Sequence, residues 1–477
     1  MQEKFGIVGF GVVGKSALRF LAKNSKFKIF VWDKRELSPQ EKILIKNDGA
    51  ELVDSSKMAV EAFLDQFSSV LLSPGIDASP FQQHKHKFIS ELDLFARNFS
   101  KKTIAITGTL GKTTVTKLLH ELIPTKTLYG GNVGVGMLDL LEKQEEIDQA
   151  VLELSSFQLE QNKSFAPDIA LWTNFYPNHL DRHKNIKNYF EAKSKIFSNQ
   201  RDGQVAIFNA KLLVCDKRVC DQVNLFSKSL QEHRGHQVFV FQNRPTKQEL
   251  AHRALEGSLV WFVEDGLVRK ARILEANLTG VGTVLSVKDL PQQSFLQNWL
   301  FIIATLDCLG LRSEQIKTIL NNKNIILDEH RLELFASVNG VDFYNDSKAT
   351  VIEATMAAVT KIAEQDRPII LVLGGQSKGV DRRPLVSFLK KQKNIKKVFC
   401  LGASCPAFAA YEHVSSLSEL SRDIMQKVAP GDLVLFSPSG ASFDMFKNYK
   451  ERGRAFKASL EDESLKKRFY AKRNIKT

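Results

Sequence analysis

Apolar positions in the first hundred residues alternate between short continuous runs and helix-spaced patterns. The run in "KFGIVGFG" (4–11) leads through glycines into the helical spacing of "VVGKSALRFLAK" (12–23), and a second run, "FKIFVWD" (27–33), follows. A later run, "SSVLLSPGI" (68–76), ends in a turn. Apolar runs this short predict buried strands, and their alternation with amphipathic helices predicts an open α/β sheet with parallel strands.

The same rhythm occurs twice more. "KKTIAITGTLGKTTVTKLLHELI" (101–123) again has the pattern of strand, glycine loop and helix, residues 230–290 are rich in β-type residues, and a further α/β unit begins near "DEHRLELF" (328–335). We therefore predict an α/β fold with three domains in series. These are a Rossmann-like N-terminal domain (1–97), a central α/β domain with the phosphate loop (98–327) and a C-terminal Rossmann-like α/β domain (328–477).

Length and composition agree with this organisation. A chain of 477 residues is too long for one hydrophobic core and should contain about three domains. Its 43% hydrophobic and 25% charged residues are typical of a soluble globular protein. The sequence has no run of about 18 uncharged apolar residues, and a strand pattern begins where a targeting leader would stand, so we expect a cytoplasmic protein that does not bind membranes.

The five cysteines favour neither a disulfide framework nor a zinc site. They are too few for the first, and the pairs Cys215 with Cys220 and Cys400 with Cys405 lack the C-x2-C spacing that zinc prefers. We interpret them as buried or incidental thiols in a reducing compartment.

The formal charge of +14 has two interpretations, a nucleic-acid binder or a protein that attracts phosphorylated substrates. The basic residues are spread along the chain, with small clusters at residues 390–397 and 466–477, and no nucleic-acid module signature accompanies them. We therefore expect no nucleic-acid partner.

The first glycine motif follows the first predicted strand. Gly9, Gly11 and Gly14 form G-x-G-x-x-G, and Asp33 ends the next strand, as in a dinucleotide-binding fingerprint. The motif also fits a tight turn without a ligand, or a ligand other than NAD, so it leaves the ligand of this domain open.

The second glycine motif, "TGTLGKTT" (107–114), is a phosphate loop with an unusual start. Ile106 stands where G-x-x-x-x-G-K-[ST] has its first glycine, and Gly108 is present instead. The backbone N–H groups of residues 108–113 can cradle phosphates at a helix N-terminus, Lys112 can supply a point charge, and Thr113 can place a hydroxyl on Mg²⁺. Glu153, at the end of a predicted strand, is a candidate second magnesium ligand because Mg²⁺ prefers carboxylate oxygens.

Nine motifs occur in the order found in Mur ligases, over about residues 4–456. The most specific are "LELSSFQLE" (152–160) and "YNDSKAT" (344–350). The others are "TGTLGKTT", "GGNVG" (130–134), "NHLDRH" (178–183), "EAKSKIF" (191–197), "EHRLE" (329–333), "LGGQSKG" (373–379) and "SPSGASFDMFKNYKERGRAF" (437–456). The chain thus resembles a Mur ligase, and the G-[TS]-x-G-K-[TS]-[TS] loop of that family accounts for Gly108.

Within the family, the motifs are most similar to those of the ligase that joins D-glutamate to UDP-N-acetylmuramoyl-L-alanine in peptidoglycan synthesis. The resemblance implies that ATP converts the alanyl carboxylate to an acyl phosphate, which the amine of D-glutamate attacks. It also implies that the N-terminal domain holds the uridine diphosphate of the substrate and no nicotinamide, and that Mg²⁺ occupies two sites. We expect a monomer.

The resemblance implies a set of site residues. Catalytic roles fall on Lys112, Glu153, His179, Lys193 and Lys348. ATP contacts fall on Gly108, Thr109, Leu110, Gly111, Lys112, Thr113, Thr114, Asn298, Arg331, Asp346 and Lys378. Magnesium would be held by Thr113, Glu153, His179 and Lys193, the last as a carbamate, which turns the amine into an oxygen donor.

It also implies two substrate sites. The UDP-substrate would be held by Gly11, Asp33, Lys34, Arg35, Ser73, Pro74, Gly75, Asn132, Ser155 and Gln158. D-glutamate would be held by His179, Lys348, Thr350, Ser442, Phe443 and Tyr449. Simpler interpretations remain for some of these residues: Lys193 as an ordinary exposed lysine, and Phe443 and Tyr449 as core packing.

The sequence departs from the family pattern at a few positions. Leu110, Asn178 and Val351 replace an asparagine, an aspartate and an asparagine respectively, and Ser294 with Phe295 replaces His-Asn. These changes put one phosphate contact, the environment of His179 and the adenine pocket in doubt.

Three alternatives stay open. A folylpolyglutamate synthase or another Mur ligase is the nearest, a nucleotide-dependent switch or nucleic-acid-binding ATPase rests only on the loop and the charge, and a dinucleotide dehydrogenase rests only on the first glycine motif.

Overall fold

The fold is described from a computed structural model that covers residues 2–23, 26–213, 229–230, 232–252, 255–291, 295–322, 329–402 and 406–461. The chain divides into two compact units. The first contains residues 1–175 and 185–325, and the second contains residues 176–184 and 326–477.

The first unit begins with a five-stranded parallel sheet of order β3-β2-β1-β4-β5. Its strands are β1 (Glu3–Val8), β2 (Phe27–Trp32), β3 (Glu51–Val53), β4 (Ser69–Leu72) and β5 (Phe88–Ile89). Its helices are α1 (Val12–Ala22), α2 (Pro39–Asn47), α3 (Val60–Asp65), a 3₁₀ helix (Ser79–Lys87) and α4 (Glu91–Asn98).

A nine-stranded sheet of order β14-β13-β12-β11-β10-β9-β6-β8-β7 forms the rest of the first unit. It is parallel from β7 to β12 and antiparallel from β12 to β14, which confirms the β-rich character predicted for residues 230–290. Its strands are β6 (Lys102–Thr107), β7 (Thr127–Gly131), β8 (Gln149–Glu153), β9 (Ile169–Trp172), β10 (Val205–Asn209), β11 (His236–Val240), β12 (Leu259–Glu264), β13 (Leu267–Leu274) and β14 (Asn277–Ser286).

The helices that accompany this sheet lie between its strands in the chain or follow its last strand. They are α5 (Lys112–Leu122), α6 (Ser156–Glu160), α8 (Ile186–Ser194), α9 (Lys247–Leu250), α10 (Leu296–Cys308) and α11 (Ser313–Asn322), with 3₁₀ helices at Met137–Glu146, Ala210–Leu213 and Val287–Asp289. The intervening α7 (Leu180–His183) belongs to the second unit.

The two sheets of the first unit share one buried apolar cluster, which runs from Phe5 and Leu18 to Trp172. Polar side chains reinforce this contact. Arg19 of α1 donates two hydrogen bonds, of 2.9 and 2.7 Å, to the carboxylate of Asp139. Asp93 of α4 accepts from the backbone N–H and the hydroxyl of Ser164. The N-terminal sheet therefore packs firmly on the central one.

The second unit has a six-stranded sheet of order β15-β16-β20-β17-β18-β19, in which only β15 and β16 pair antiparallel. Its strands are β15 (Glu333–Val338), β16 (Val341–Asn345), β17 (Ile369–Gly374), β18 (Ile395–Leu401), β19 (Glu412–Val414) and β20 (Leu433–Phe436). Its further helices are α12 (Ile352–Ala363), α13 (Arg383–Leu389), a 3₁₀ helix (Pro406–Phe408), α14 (Leu417–Lys427) and α15 (Tyr449–Glu461).

These three sheets confirm the predicted α/β class with mostly parallel strands. The division at 97/98 and 327/328 stays a prediction, and residues 327 and 328 lie outside the described residues, as do Cys215, Cys220, Ser294, Cys405 and the basic segment 466–477. Within the part of the chain that the structure describes, no helix has the length and apolar character needed to cross a membrane.

Candidate active site

The phosphate loop connects β6 to α5 in the middle of the nine-stranded sheet. Gly108 has a φ of +147°, and a Cβ there would lie 2.0 Å from Thr173 Oγ1. Gly111 caps α5 with a φ of +84°. Both glycines are needed for this backbone path, which leaves the first-turn N–H groups of α5 without intrahelical acceptors. Such a helix N-terminus attracts anions.

Side chains around the loop hold its shape. Asn174, just after β9, accepts hydrogen bonds at Oδ1 from the N–H groups of Thr109 (3.2 Å) and Leu110 (2.8 Å), and its Nδ2 donates to the Leu110 carbonyl. Lys112 Nζ lies over the loop and donates to the carbonyls of Gly108 and Thr109 at 2.9 and 3.1 Å. Sequence reasoning missed Asn174, although a polar residue directly after a buried strand was a usable signal.

Thr113, Thr114 and Glu153 are all buried near the start of α5. Glu153 is 1% exposed, its Oε1 accepts a 2.7 Å hydrogen bond from Asn132 Nδ2, and its Oε2 has no hydrogen-bond partner among the described residues. An unpaired buried carboxylate oxygen is costly, and a hard cation satisfies it. Glu153 and the hydroxyl of Thr113 therefore fit Mg²⁺. The described residues contain no group of three or more His, Cys, Asp or Glu suited to a metal.

Lys193, in α8, is 1% exposed, so the interpretation as an exposed lysine is wrong. Its Nζ donates to the Gly108 carbonyl at 2.8 Å and approaches Thr107 Oγ1 at 3.4 Å. Burial, with repulsion from Lys112, holds the pKa of Lys193 well below its usual range, while Glu153 acts in the opposite direction. Burial therefore favours the neutral amine of Lys193 over the ammonium, and this amine contacts the phosphate loop at Gly108.

Asn298, near the start of α10, is buried beside the loop, where a Cβ at Gly111 would lie 2.7 Å from its Oδ1. Phe295 caps this helix and is partly exposed. Asn298 therefore lies against Gly111, at the N-terminus of α5.

The predicted uridine diphosphate residues gather at the carboxyl ends of β1, β2 and β4. Asp33 Oδ2 accepts from the Phe10 N–H at 2.6 Å, and Arg35 donates to Asp33, to the Phe10 carbonyl and to Glu41. Ser73 Oγ donates to the Gly9 carbonyl at 2.8 Å. The remaining members at this edge are exposed or partly exposed: Gly11, Lys34, Pro74 and Gly75.

The predicted muramoyl-alanine residues lie after β7 and β8. Asn132 is exposed, while its side chain contacts Glu153. Ser155 and Gln158 form the capping box of α6, in which Gln158 Oε1 accepts from the Ser155 N–H and hydroxyl. Gln158 Nε2 donates to Glu91 of α4 at 3.3 Å. Gln158 therefore has its polar atoms occupied within the protein.

In the second unit, Asp346 follows β16 and is buried. Its Oδ2 accepts from Ser437 Oγ at 2.7 Å and its Oδ1 from the Leu332 N–H at 3.2 Å. Burial outweighs these hydrogen bonds and the nearby Arg331, and it raises the pKa of Asp346 to about 7. Arg331 Nε is buried without a hydrogen-bond partner among the described residues.

Residues predicted for D-glutamate surround the loop after β16 and the loop after β20. Lys348 Nζ lies 5.3 Å from the centre of the Tyr449 ring, and Ser442 is buried. Phe443 is 65% exposed and outside any helix, so core packing is wrong for it. Thr350 is partly exposed beside Val351, which is the N-cap of α12.

His179 and Lys378 both adopt a left-handed backbone conformation in the second unit. The His179 N–H donates to Asn178 Oδ1 at 2.9 Å. A Cβ at Gly379, next to Lys378, would lie 3.7 Å from the Leu180 Cβ. The segment that carries His179 therefore packs on the loop after β17.

Comparison with family models covers most of the chain. The N-terminal domain of MurD-like Mur ligases matches residues 3–87, the Mur ligase middle domain matches residues 106–254, and the glutamate ligase domain of Mur ligases matches residues 330–440.

Curated proteins match this chain over almost its whole length. The chain is 33% identical to the UDP-N-acetylmuramoylalanine–D-glutamate ligase of Caldicellulosiruptor bescii, over 96% of this chain and 97% of that protein. It is also 33% identical to the enzyme of the same name from Koribacter versatilis, over 94% and 95%.

Solved structures share the fold at low identity. MurF from Acinetobacter baumannii has a TM-score of 0.60 at 16% identity and covers 95% of this chain and 93% of its own. MurF from Thermotoga maritima in complex with ADP has a TM-score of 0.54 at 15% identity, over 94% and 97%. The chain belongs to the Mur ligase family, in its MurD-like group.

Proposed function

We propose that this protein ligates D-glutamate to UDP-N-acetylmuramoyl-L-alanine with the hydrolysis of ATP to ADP and phosphate, in peptidoglycan biosynthesis. The curated relatives that bear this activity in their name match almost the entire chain at 33% identity. The observation that carries the chemistry is the phosphate loop with a buried Glu153 oxygen that has no hydrogen-bond donor among the described residues.

The first step transfers the γ-phosphoryl group of ATP to the alanyl carboxylate. The loop N–H groups and Lys112 would bind the phosphates and neutralise the charge that develops on them. Lys112 must then exchange its two carbonyl acceptors for phosphate oxygens. Thr113 and Glu153 would hold Mg²⁺, which would neutralise phosphate charge.

We further propose that Lys193 carries a carbamate, which would supply an oxygen donor for a second magnesium ion. A buried ammonium has little to stabilise it, whereas a neutral amine can add to CO₂ and lose a proton to give a carboxylate-like donor. The burial of Lys193, whose Nζ contacts the Gly108 carbonyl, the Thr107 hydroxyl and the face of the Tyr189 ring, supports this assignment.

The second step joins the D-glutamate amine to the acyl carbon, and phosphate leaves with one of the former carboxylate oxygens. A dicarboxylate needs cations and hydroxyl or amide donors. Lys348, Thr350 and Ser442 supply these groups, while Phe443 and Tyr449 offer apolar contact. Arg331, Asp346, Lys378 and Asn298 are assigned to ATP by resemblance alone.

The substrates themselves support a cytoplasmic enzyme, because ATP and UDP-linked precursors are cytoplasmic compounds. We also propose that the enzyme acts as a monomer. Light scattering after size-exclusion chromatography tests the second statement.

Phosphate release from ATP across a panel of acceptors and amino acids tests the function. We expect release with UDP-N-acetylmuramoyl-L-alanine plus D-glutamate, and little with L-glutamate, L-lysine or meso-diaminopimelate, because a misplaced carboxylate leaves buried polar groups unpaired. Equal turnover with L-alanine on the unsubstituted muramoyl nucleotide, or with folates and L-glutamate, would assign the protein to another branch of the superfamily.

A further inference from the structure

Glu91 is a buried carboxylate at a junction of three segments of the first unit, and it belongs to none of the proposed catalytic or binding sites. It begins α4 and is only 3% exposed. Its Oε1 accepts from the Met137 N–H at 3.1 Å, and its Oε2 accepts from Gln158 Nε2 at 3.3 Å. One side chain therefore links α4 to the segment after β7 and to the segment after β8.

Both linked segments carry groups proposed to bind the muramoyl-alanine half of the acceptor. The segment that ends at Met137 contains Asn132, whose N–H donates to the Glu153 carbonyl at 2.8 Å. Gln158 in turn fixes Ser155, because its Oε1 accepts from the Ser155 N–H at 3.0 Å and from the Ser155 hydroxyl at 2.9 Å. Glu91 thus contacts Gln158, which in turn contacts Ser155. Its other partner, Met137, lies in the same short segment as Asn132.

We propose that Glu91 is a positioning residue that holds these two segments in the geometry that binds the muramoyl-alanine part of the acceptor. The inference rests on the proposed function. A carboxylate suits the task, since it accepts from both donors with different oxygens, whereas an amide of equal volume offers one acceptor and turns a donor toward the other contact. A neutral replacement therefore breaks one link without leaving a cavity.

The surroundings give Glu91 a distinct titration. Burial raises the pKa of Glu91 to about 7, the hydrogen bonds from Gln158 and Met137 oppose this, and the neighbouring Asp139 adds to it. Asp139 is itself paired with Arg19. Protonation at lower pH converts one acceptor oxygen into a donor, so the two-acceptor state that links both segments prevails above about pH 7.

The affinities of the full chain for UDP-N-acetylmuramoyl-L-alanine and for UDP distinguish this positioning role from a general defect in folding. Glu91→Gln should weaken the affinity for UDP-N-acetylmuramoyl-L-alanine about tenfold, the effect of one lost hydrogen bond to a charged group, and leave the affinity for UDP unchanged. The matched control is Glu61→Gln, since Glu61 is also in the first turn of a helix of the first unit but is exposed. It should change neither affinity.

Kinetics and pH supply further readouts. Glu91→Gln should raise KM for the acceptor with KM for ATP unchanged, and the acceptor affinity of the native protein, but not of Glu91→Gln, should fall as the pH drops from 8 to 6. If Glu91→Gln does not fold, Glu91→Asp, which keeps the charge one carbon shorter, should show the same selective loss.

Equal acceptor affinity in native and variant proteins, or an equal loss for UDP and acceptor, would overturn the proposal. Failure of the native protein to bind the acceptor would instead contradict the proposed function.

Discussion

Burial and hydrogen bonds fix the side chains around the phosphate loop, and this limits the chemical roles that these residues can have. Lys193, Glu153 and Lys112 meet at the loop, the first two fully buried. Lys193 and Lys112 both donate to the Gly108 carbonyl, so a change in the contacts of one lysine affects the other. The chemistry of one of these groups therefore depends on the others.

Lys112→Ala should abolish turnover while the fold is kept. Removal of one group that stabilises transition-state charge typically costs about 10²–10³ in kcat, or about 2.7–4 kcal/mol. Phosphate release measures the loss, and circular dichroism checks the fold. Lys126→Ala, which changes an exposed lysine at the start of β7, is the matched control and should retain activity. Near-normal release from folded Lys112→Ala would contradict the assignment of this loop to ATP.

Lys193 should carry a carbamate. With ¹³C-labelled CO₂, we expect a carbamate resonance that disappears in Lys193→Ala and persists in Lys195→Ala, whose lysine lies two residues on and donates to the Glu160 carbonyl. Activity should fall when CO₂ is stripped and return with bicarbonate. A fully active protein with an unmodified amine would exclude the carbamate.

The sequence predicted the residues whose roles depend on local pattern. Lys112 and Glu153 could be found because a glycine loop and a strand end mark them. Glu91 could not, since it accepts hydrogen bonds from Met137 and Gln158, which lie far away in the chain, and no spacing within α4 reports such partners.

At the scale of elements, the carboxylate of Glu41 links α1, α2 and the loop after β2. Glu41 Oε1 lies 2.8 Å from Lys15 Nζ and 2.9 Å from an Arg35 guanidinium nitrogen, and its Oε2 accepts from the N-cap Ser38 N–H. Arg35 belongs to the proposed uridine diphosphate site, so the capping box of α2 also orients a substrate group.

Glu41→Gln should destabilise the first unit in a pH-dependent way. The hydrogen bond from Lys15, followed by that from Ser38, lowers the pKa of Glu41 to about 2 from about 4.5. Because the folded pKa is the lower one, the stabilisation is full above about pH 4.5 and is lost as the pH falls toward 2.

Calorimetry should therefore show a lower unfolding midpoint for Glu41→Gln at pH 7, by a few degrees, and a smaller difference at pH 3. Glu36→Gln is the control and should not change the midpoint, since Glu36 lies in the loop between β2 and α2 and is exposed. A difference that grows as the pH falls would contradict the assigned role of Glu41.

At the scale of the whole molecule, the proposed groups are distributed over both compact units. The phosphate loop, Lys193 and the UDP-substrate residues belong to the first, whereas His179, Asp346 and Lys348 belong to the second. The sequence predicted the α/β class and the alternation of strands and helices along the chain. It did not predict that residues 176–184 group with the second unit, since that depends on packing against the loop after β17.

The central claim is that the acceptor carboxylate is phosphorylated and then displaced by D-glutamate. Acceptor labelled with ¹⁸O in the alanyl carboxylate tests this most directly, because the departing phosphate must keep one carboxylate oxygen. With ATP and D-glutamate, we predict one ¹⁸O in each released phosphate and a product heavier by one glutamyl residue, both seen by mass spectrometry. Phosphate that contains no ¹⁸O, or labelled phosphate without a glutamyl product, would contradict the account.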